Sequence, residues 1–298
     1  MVSPRGTTET SKDRLRKALT MNVKNALEAT RIWRPAALTE TVEVVDASAT
    51  LRHFPSRLST TLGICRKSTE AHLATSDGER LEFPADAVIL RPPDCIWSSG
   101  PTRAAFVSVD FATSLLPADA RYKRMRWLHP LQLPEFDRAL HILRNSHSRL
   151  AADAAVAGLI QAVARQDFFS SEEIATAAAA PSLRERAKEY LRAHVHRNVQ
   201  LAELADACDT NVYALLRRFR ECFGITPHAF HLQVRIAKAR QLLAGGTSPV
   251  EVSALTGFAD QSHFGRRFKT IVGVSPGEYA RQVRLRVALS GSPGLHAN

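Results

Sequence analysis

Cysteine is scarce in this sequence: only four occur among 298 residues, and no two of them form a Cys-x-x-Cys pair. This scarcity argues against a disulfide framework and a cysteine-rich zinc site, and it is typical of a reducing compartment. Long apolar runs are lacking as well, since no stretch approaches the roughly 18 residues that span a bilayer. The first twenty residues carry five basic side chains and no apolar segment of the kind a signal peptide needs. We therefore expect a cytoplasmic protein with no membrane partner.

Acidic side chains are in short supply relative to basic ones. Lys and Arg number 40 against 29 Asp and Glu, which gives a formal charge of +11. The excess lies at one end: residues 182–298 hold 17 basic and 9 acidic side chains, whereas residues 1–181 hold 23 and 20. A basic segment of this kind favours an anionic partner. The hydrophobic content of 45% is ordinary for a globular protein and excludes a wholly disordered or fibrous chain.

The length predicts two domains, and local composition indicates where they divide. We predict an N-terminal domain at 31–170 and a basic helical domain at 182–284, with a flexible arm at 1–30 and a flexible tail at 285–298. Between the domains, small residues ending at Pro181 predict a linker at 171–181. The alanines of this segment also favour helix, so they could instead extend a helix from upstream.

The N-terminal half has the pattern of a β-rich domain. Short runs of β-forming residues predict strands at 41–45, 58–64, 72–75, 80–83, 87–90 and 104–111. Turn signals separate them: Asp77-Gly78 predicts a hairpin, and the segments 92–94 and 98–101 predict further turns. Strands of this length and spacing predict a barrel or sandwich. Helical periodicity at 134–146 and 152–168 then predicts two amphipathic helices after the sheet.

The C-terminal half carries readable helix caps. A Ser-Pro-x-Glu capping pattern at Ser248 starts a short helix, and Gly257 allows a sharp turn after it. Asp260 then caps a second helix with Phe264 and Phe268 on one side. The other side of that helix is polar and cationic, which is typical of a DNA recognition helix. Its members are Gln261, Ser262, His263, Arg266, Arg267 and Lys269.

The same arrangement occurs once more upstream. A short helix from 201 to 208 is followed by a turn at Asp209, and Asn211 caps a second helix with Leu215 and Phe219 inward and arginines at 217, 218 and 220. The segments 215–220 and 264–269 align an apolar residue, two arginines, a phenylalanine and a further cation. Repetition at this level indicates two copies of one helix-turn-helix unit, at about 201–222 and about 249–271.

A single helix at 227–244 joins the two units, with a Thr-Pro start and a Gly-Gly end. Its 18 residues give a length of about 27 Å. Neighbouring major grooves on one face of B-DNA lie about 34 Å apart, so a rod of this length with a recognition helix at either end can reach two groove segments.

On these motifs, residues 182–284 resemble the DNA-binding domain of the AraC/XylS family of bacterial transcription regulators. Two positions depart from the family pattern: the first turn has Asp209, where glycine is frequent, and Leu216 places an apolar residue in the first recognition helix. We therefore expect the first unit to read few bases. The matching motifs are Leu204-Ala205 with Leu215-x-Arg217-x-Phe219, then Arg235-x-x-x-Ala239-Arg240-x-Leu242-Leu243, then Gly257-Phe258-Ala259-Asp260-Gln261-Ser262-x-Phe264-x-Arg266-x-Phe268-Lys269, and Gly273-Val274-Ser275-Pro276.

The resemblance implies an α+β chain: an N-terminal, cupin-like β-barrel that senses an effector and carries dimerising helices, followed by an all-α domain of two helix-turn-helix units. It also implies roles for the residues of both recognition helices. Those expected to face bases are Tyr213, Leu216 and Arg217 in the first unit, and Gln261, Ser262, His263 and Arg266 in the second. Those expected to contact phosphates are Arg218, Arg267 and Lys269.

The same resemblance implies a non-enzymatic, nucleoid-associated regulator, more often an activator than a repressor, with no cofactor and no metal. Its implied partners are double-stranded promoter or operator DNA read in the major groove, a small-molecule effector, a second copy in a homodimer, and RNA polymerase. Trp97 and the strand positions around Cys65 and Arg91 are candidates for lining an effector pocket. No further ligand site is assigned from the sequence.

Two other function classes stay open at this point. One is a metal-dependent cupin-type enzyme tethered to DNA, which would need ligands such as His53, His72 and His129, although no His-x-His or glutamate-rich cluster accompanies them in the N-terminal half. The pair His194-x-His196 lies on a predicted helix, where residues two apart point in different directions and do not bind one ion. The other is an architectural protein that binds DNA by charge alone. A redox role for Cys65 and Cys95 depends on their pKa values and their separation.

Overall fold

A computed structural model of the chain describes residues 30–35, 42–67, 72–116, 121–122, 124–146, 148–170 and 182–289. The predicted linker and nearly all of the predicted N-terminal arm lie outside these residues, and the predicted tail is described only through residue 289. Within the described residues, no helix is long and apolar enough to cross a membrane.

The N-terminal domain is built on an antiparallel sheet. Its described strands are β1 (Thr30–Trp33), β2 (Val42–Leu58), β3 (Leu62–Lys67), β4 (His72–Ser76), β5 (Glu79–Phe83), β6 (Val88–Arg91), β7 (Ile96–Phe111), β8 (Arg121–Tyr122), β9 (Arg126–Leu128) and β10 (Phe169–Ser170). Eight of them form one sheet in the order β1-β2-β7-β3-β6-β9, with β4 paired to β7 and β5 paired to β4. A separate pair joins β8 to β10.

The two faces of the sheet have different partners because side chains alternate along a strand. On one face, Val44, Val109 and Phe111 are fully buried in a core with two helices, α1 (Glu135–Asn145) and α2 (Arg149–Arg165). The opposite face carries more polar groups, including Glu43, Ser108 and Asp110. That face turns toward the C-terminal domain, so the alternation positions charged side chains at the domain boundary.

One strand prediction and one turn prediction were wrong. The segment 58–64 is not one strand, because the chain turns after Leu58 and Ser59 donates its hydroxyl to the Thr61 carbonyl at 2.8 Å before β3 begins. The segment 98–101 is not a turn, because it lies inside β7, opposite a stretch of β2 where the register shifts. Glycine and proline in a strand are tolerated at such irregular positions, and local sequence alone does not distinguish this case from a turn.

The C-terminal domain is helical throughout its described length. Its helices are α3 (Leu183–Ala193), α4 (Leu201–Ala207), α5 (Val212–Phe223), α6 (Pro227–Ala244), α7 (Pro249–Leu255), α8 (Gln261–Val272) and α9 (Pro276–Leu289). The connecting helix α6 has the bounds that its caps predict. The last helix runs to Leu289, past the domain end of 284 drawn from the sequence. The chain is therefore of the α+β class, with a sheet-rich N-terminal domain.

Candidate nucleic-acid interface

The first helix-turn-helix unit is formed by α4 and α5. The Asn211 side chain accepts a hydrogen bond from the backbone N–H of Ala214 at 2.8 Å and thereby caps α5. Leu215, Phe219 and Phe223 are fully buried on the inner side of this helix. Tyr213, near its beginning, is 80% exposed. One helix thus presents an apolar side to the domain core and a polar side to solvent.

Asp209 occupies the turn of this unit with φ +49°, the left-handed backbone conformation that glycine would adopt most easily. Aspartate tolerates this region better than most residues because its short polar side chain can form local hydrogen bonds. Here the carboxylate also pairs with the Arg186 guanidinium of α3 at 2.8 Å. The departure from glycine therefore preserves the sharp turn.

The second unit, α7 and α8, repeats this construction. The Ser248 hydroxyl and the Glu251 side chain close the predicted capping box, and Gly257 makes the turn with φ +70°. The Asp260 carboxylate caps α8 by accepting from the His263 backbone N–H at 2.7 Å. The inner side of α8 buries Phe264 and Phe268 completely.

The connecting helix α6 contributes to the cores of both units. Phe230 and Val234, in its first half, pack with the buried side of α5. Ile236, Ala239 and Leu243, in its second half, pack with the buried side of α8. Each recognition helix therefore packs on one half of α6. Because α6 belongs to both cores, it holds the two units in a fixed relative position.

The structure places every predicted DNA-contact residue on α5 or α8. Leu216 and His263 are only half-buried, and the His263 ring packs edge-on against Phe258 at 5.6 Å and lies 3.3 Å from Nε of Arg267. Arg217 lies 3.9 Å from Glu221, one turn further along α5. The remaining predicted residues are exposed; they are Tyr213, Arg217, Arg218, Gln261, Ser262, Arg266, Arg267 and Lys269. Exposed cations on two equivalent helices form a surface suited to DNA grooves.

The N-terminal domain contacts both units, which sequence reasoning missed. At the first unit, Asp94 pairs with Lys188 of α3 at 3.0 Å and with Arg192, one turn later. Burial acts to raise the pKa of Asp94, but these two cations outweigh it, so the pKa lies below its ordinary value. Leu58 and Ile96 of the sheet also join the apolar core of the first unit.

At the second unit, the contact centres on Glu43 of β2, which is 5% exposed. Its carboxylate accepts from the Tyr279 hydroxyl of α9 at 2.6 Å and from the Arg240 guanidinium of α6. Arg34 lies 3.5 Å away on the N-terminal side. Burial acts to raise the pKa of Glu43, but the two arginines and the tyrosine outweigh it, and the pKa is lowered. We call these four side chains the Glu43 cluster.

A cavity of 130 Å³ lies between the polar face of the sheet and α6. Its lining includes Cys65, Arg91 and Trp97, the three positions that the sequence singled out as pocket candidates. It also includes Ser99 and Arg240, for which the sequence provided no signal. The cavity therefore adjoins both the sheet of the N-terminal domain and the helix that joins the two helix-turn-helix units.

The described part of the chain bears on the metal ligands and the cysteines considered from the sequence. No group of three or more His, Cys, Asp or Glu side chains is arranged there to hold a metal ion. The His129 ring accepts from the Leu131 backbone N–H at 3.3 Å and so caps a short helix, while the side chains of His53 and His72 lie outside the description. Burial raises the pKa of the Cys95 thiol to about 12, so this thiol is protonated at neutral pH.

Comparison with known proteins agrees with this geometry. Residues 204–282 match the family described as "Helix-turn-helix domain". A segment of 75 residues is 40% identical to an uncharacterized HTH-type transcriptional regulator, YbfI, of Bacillus subtilis, covering 25% of this chain and 27% of that relative. Another segment, of 96 residues, is 32% identical to the MmsAB operon regulatory protein of Pseudomonas aeruginosa, covering 32% of this chain and 31% of that relative. The match thus spans about a third or less of these relatives.

Among solved structures, ToxT from Vibrio cholerae superposes with a TM-score of 0.51 at 15% identity, over 81% of this chain and 98% of that chain. An apo form of a ToxT variant superposes with a TM-score of 0.53, over 81% of this chain and 97% of that chain. These superpositions extend the similarity of fold into the sheet-rich N-terminal domain.

The C-terminal domain is thus a tandem helix-turn-helix DNA-binding domain. It is of the AraC/XylS type, as its motifs indicate.

Proposed function

We propose that this protein is a sequence-specific, DNA-binding transcription regulator of the AraC/XylS type, most simply an activator, that responds to a small-molecule effector. The single observation that carries the proposal is the repeat itself: two recognition helices with exposed cations, seated on the two halves of one 18-residue helix. Relatives of the C-terminal domain are named as transcriptional regulators, which supports the same reading.

Within each recognition helix, the position of a side chain determines whether it contacts a base or a phosphate. Side chains near the start of α5 and α8 face the base edges, where arginine pairs with guanine and glutamine with adenine. Cations further along contact phosphates and supply affinity that depends on salt. The base-facing set is Tyr213, Leu216, Arg217, Gln261, Ser262, His263 and Arg266; the phosphate set is Arg218, Arg267 and Lys269.

The N-terminal domain is the sensor in this proposal, and its sheet belongs to a cupin-like barrel whose polar face lines the effector cavity. An effector in the cavity between the domains favours one placement of the DNA-binding units over another, which is a shift between populations. Helices α1 and α2 mediate formation of a homodimer, and the DNA-bound dimer contacts RNA polymerase. The protein acts in the cytoplasm, on the nucleoid.

Selection of bound fragments from the source genome by the purified full-length protein, at fixed near-physiological salt, tests the proposal. We expect enrichment of a site with two short sequence blocks about one helical turn apart, bound at least about 10³-fold more tightly than random DNA. A protein that binds all fragments alike is an architectural binder and contradicts the proposal. Binding curves that coincide with and without an effector would refute the sensing role alone.

A further inference from the structure

The cavity between the domains has a definite size and a mainly apolar wall. Its volume of 130 Å³ is close to that of an engineered protein cavity of about 150 Å³ that stays dry and binds benzene. A ligand of about six to nine non-hydrogen atoms fits such a space. The apolar part of the wall includes Ile32, Val45, Phe83, Ile89, Met125 and Ile236.

The charged groups of the wall already have partners. Glu43 pairs with Arg240 across the domain boundary, and Asp110 accepts from Arg91 at 2.6 Å. The Arg57 guanidinium lies 6.0 Å from the centroid of the Trp97 ring, within the range of a cation–π contact. An anionic ligand would have to compete with the two carboxylates of the wall for these arginines, and a cationic ligand would have to compete with the arginines for the carboxylates. An uncharged ligand leaves all of them intact.

One polar group of the wall stands apart from these pairs. Ser99 is 4% exposed, and its hydroxyl has no hydrogen-bond partner among the described residues. It lies two residues after Trp97 on β7, so both side chains point to the same face of the sheet, where both line the cavity. Buried hydroxyls nearly always have a partner, so this one needs an explanation.

We propose that the cavity binds a compact, uncharged molecule with an apolar body and one hydrogen-bonding group, such as a small cyclic alcohol, phenol or ketone. The Ser99 hydroxyl pairs with the polar group of the ligand, and the apolar wall surrounds its body. The statement that this molecule is the effector rests on the proposed function. The statement that the cavity binds such a molecule does not rest on it, because the cavity is present without DNA.

Calorimetric titration of the full-length protein, without DNA, tests this assignment with three probes of similar size. Benzyl alcohol is neutral, benzoate is anionic and benzylamine is cationic at pH 7. We expect benzyl alcohol to bind at least tenfold more tightly than either charged probe. Toluene, which has no polar group, distinguishes the apolar wall from the Ser99 contact.

Two variants assign the binding to the cavity. Ser99→Ala removes the hydroxyl at nearly constant shape and is expected to weaken benzyl alcohol roughly 3- to 10-fold while toluene is unchanged. Ser98→Ala is the matched control, since the adjacent side chain on the strand points to the other face of the sheet and is expected to change nothing. Ala237→Leu fills the cavity from α6 and is expected to weaken both probes.

Tighter binding of benzoate or benzylamine overturns the assignment of an uncharged ligand. So does the absence of binding by all four probes at millimolar concentration, or equal binding by the wild type and Ser99→Ala. Because DNA is absent from these titrations, their failure leaves the DNA selection experiment unaffected. Conversely, a protein that selects no DNA site but binds benzyl alcohol through Ser99 would contradict the regulator and keep the ligand site.

Discussion

Replacement of Glu43 by glutamine tests how the N-terminal domain holds the DNA-binding domain. The carboxylate accepts hydrogen bonds from Tyr279 and Arg240, which come from two different helices of the C-terminal domain. Glutamine has nearly the same shape but no charge. Glu43→Gln therefore leaves the Arg240 guanidinium partly buried without a counter-charge, while the packing around it stays the same.

The expected loss in the free energy of unfolding follows from the burial of the Glu43–Arg240 ion pair. Removing one partner of a fully buried ion pair costs about 3–5 kcal/mol, because the other charge stays buried alone. The Glu43 side chain is 6% exposed, but that of Arg240 is 27% exposed. The glutamine oxygen also still accepts from Tyr279. We therefore expect a smaller loss, about 2–3 kcal/mol, in the free energy of unfolding.

Asp46→Asn is a matched control on the same strand. Asp46 pairs with Arg144 at 2.6 Å, but both side chains are 39% exposed and both belong to the N-terminal domain. An exposed pair of this kind contributes about 0–1 kcal/mol. Urea unfolding of the two variants at pH 7 measures the difference, and hydrogen exchange in α6 and α9 shows whether domain contact is lost.

The pH dependence of stability provides a second test of the Glu43→Gln variant. Because the folded-state pKa of Glu43 is lowered, its contribution is complete above the unfolded value of 4.5 and is lost as the pH falls through the folded value. Glu43→Gln removes this contribution at neutral pH, so its stability falls less steeply in acid than that of the wild type. The reasoning is refuted if Glu43→Gln and Asp46→Asn have equal effects at pH 7 and equal acid slopes.

Three further predictions concern the helical domain. Arg266→Ala is expected to cost about 1–3 kcal/mol on the selected DNA site and little on random DNA, whereas Lys269→Ala weakens binding to both and lowers the salt slope by about 1. Gly257→Ala is expected to destabilise the protein by more than about 1 kcal/mol in thermal unfolding, because its φ is +70° and a Cβ would lie 2.7 Å from backbone atoms of His196, in the loop between α3 and α4. Gly265→Ala, in open space within α8, is expected to stabilise it by about 0.5–1 kcal/mol. Burial and a nearby arginine lower the pKa of His231 to about 4, so stability is lost as the pH falls from 6.5 toward 4, and His231→Gln is expected to flatten that slope.

Each of these expectations has a contrary result. Equal losses on both DNAs from Arg266→Ala would assign that side chain to a phosphate. Equal stability of the Gly257→Ala and Gly265→Ala variants would mean that the turn does not need its left-handed conformation. An unchanged acid slope in His231→Gln would mean that the imidazole titrates as it does in the unfolded chain.

The helical half of the protein was largely predictable from its sequence because its determinants are local. A capping side chain acts on backbone groups three residues away, as Asp260 does on His263, and the periodicity of Phe264 and Phe268 spans a single helical turn. The helix-turn-helix unit occurs twice, so each predicted helix of one copy was supported by its counterpart in the other. Asp209 was identified as the turn residue for the same reason, although only the structure shows that it adopts the glycine-like conformation.

The sheet was less predictable because its determinants act between strands. The segment 98–101 has the composition of a turn, yet pairing with a distant part of β2 holds it extended. Whether such a segment forms a strand depends on the partner that tertiary structure brings to it. The same holds for the break after Leu58, where the sequence predicts one continuous strand.

By itself, the sequence determined the tandem helix-turn-helix units, their caps and their connecting helix, since each signal lies within a few residues of its effect. Only the tertiary structure determined how the domains meet. Glu43 lies 197 residues from Arg240 and 236 from Tyr279, and no periodicity links positions so far apart. The cavity and the isolated hydroxyl of Ser99 likewise exist only because folding brings β7 against other strands and α6. The sequence singled out three lining positions, Cys65, Arg91 and Trp97, but it could not define the cavity that they share with α6.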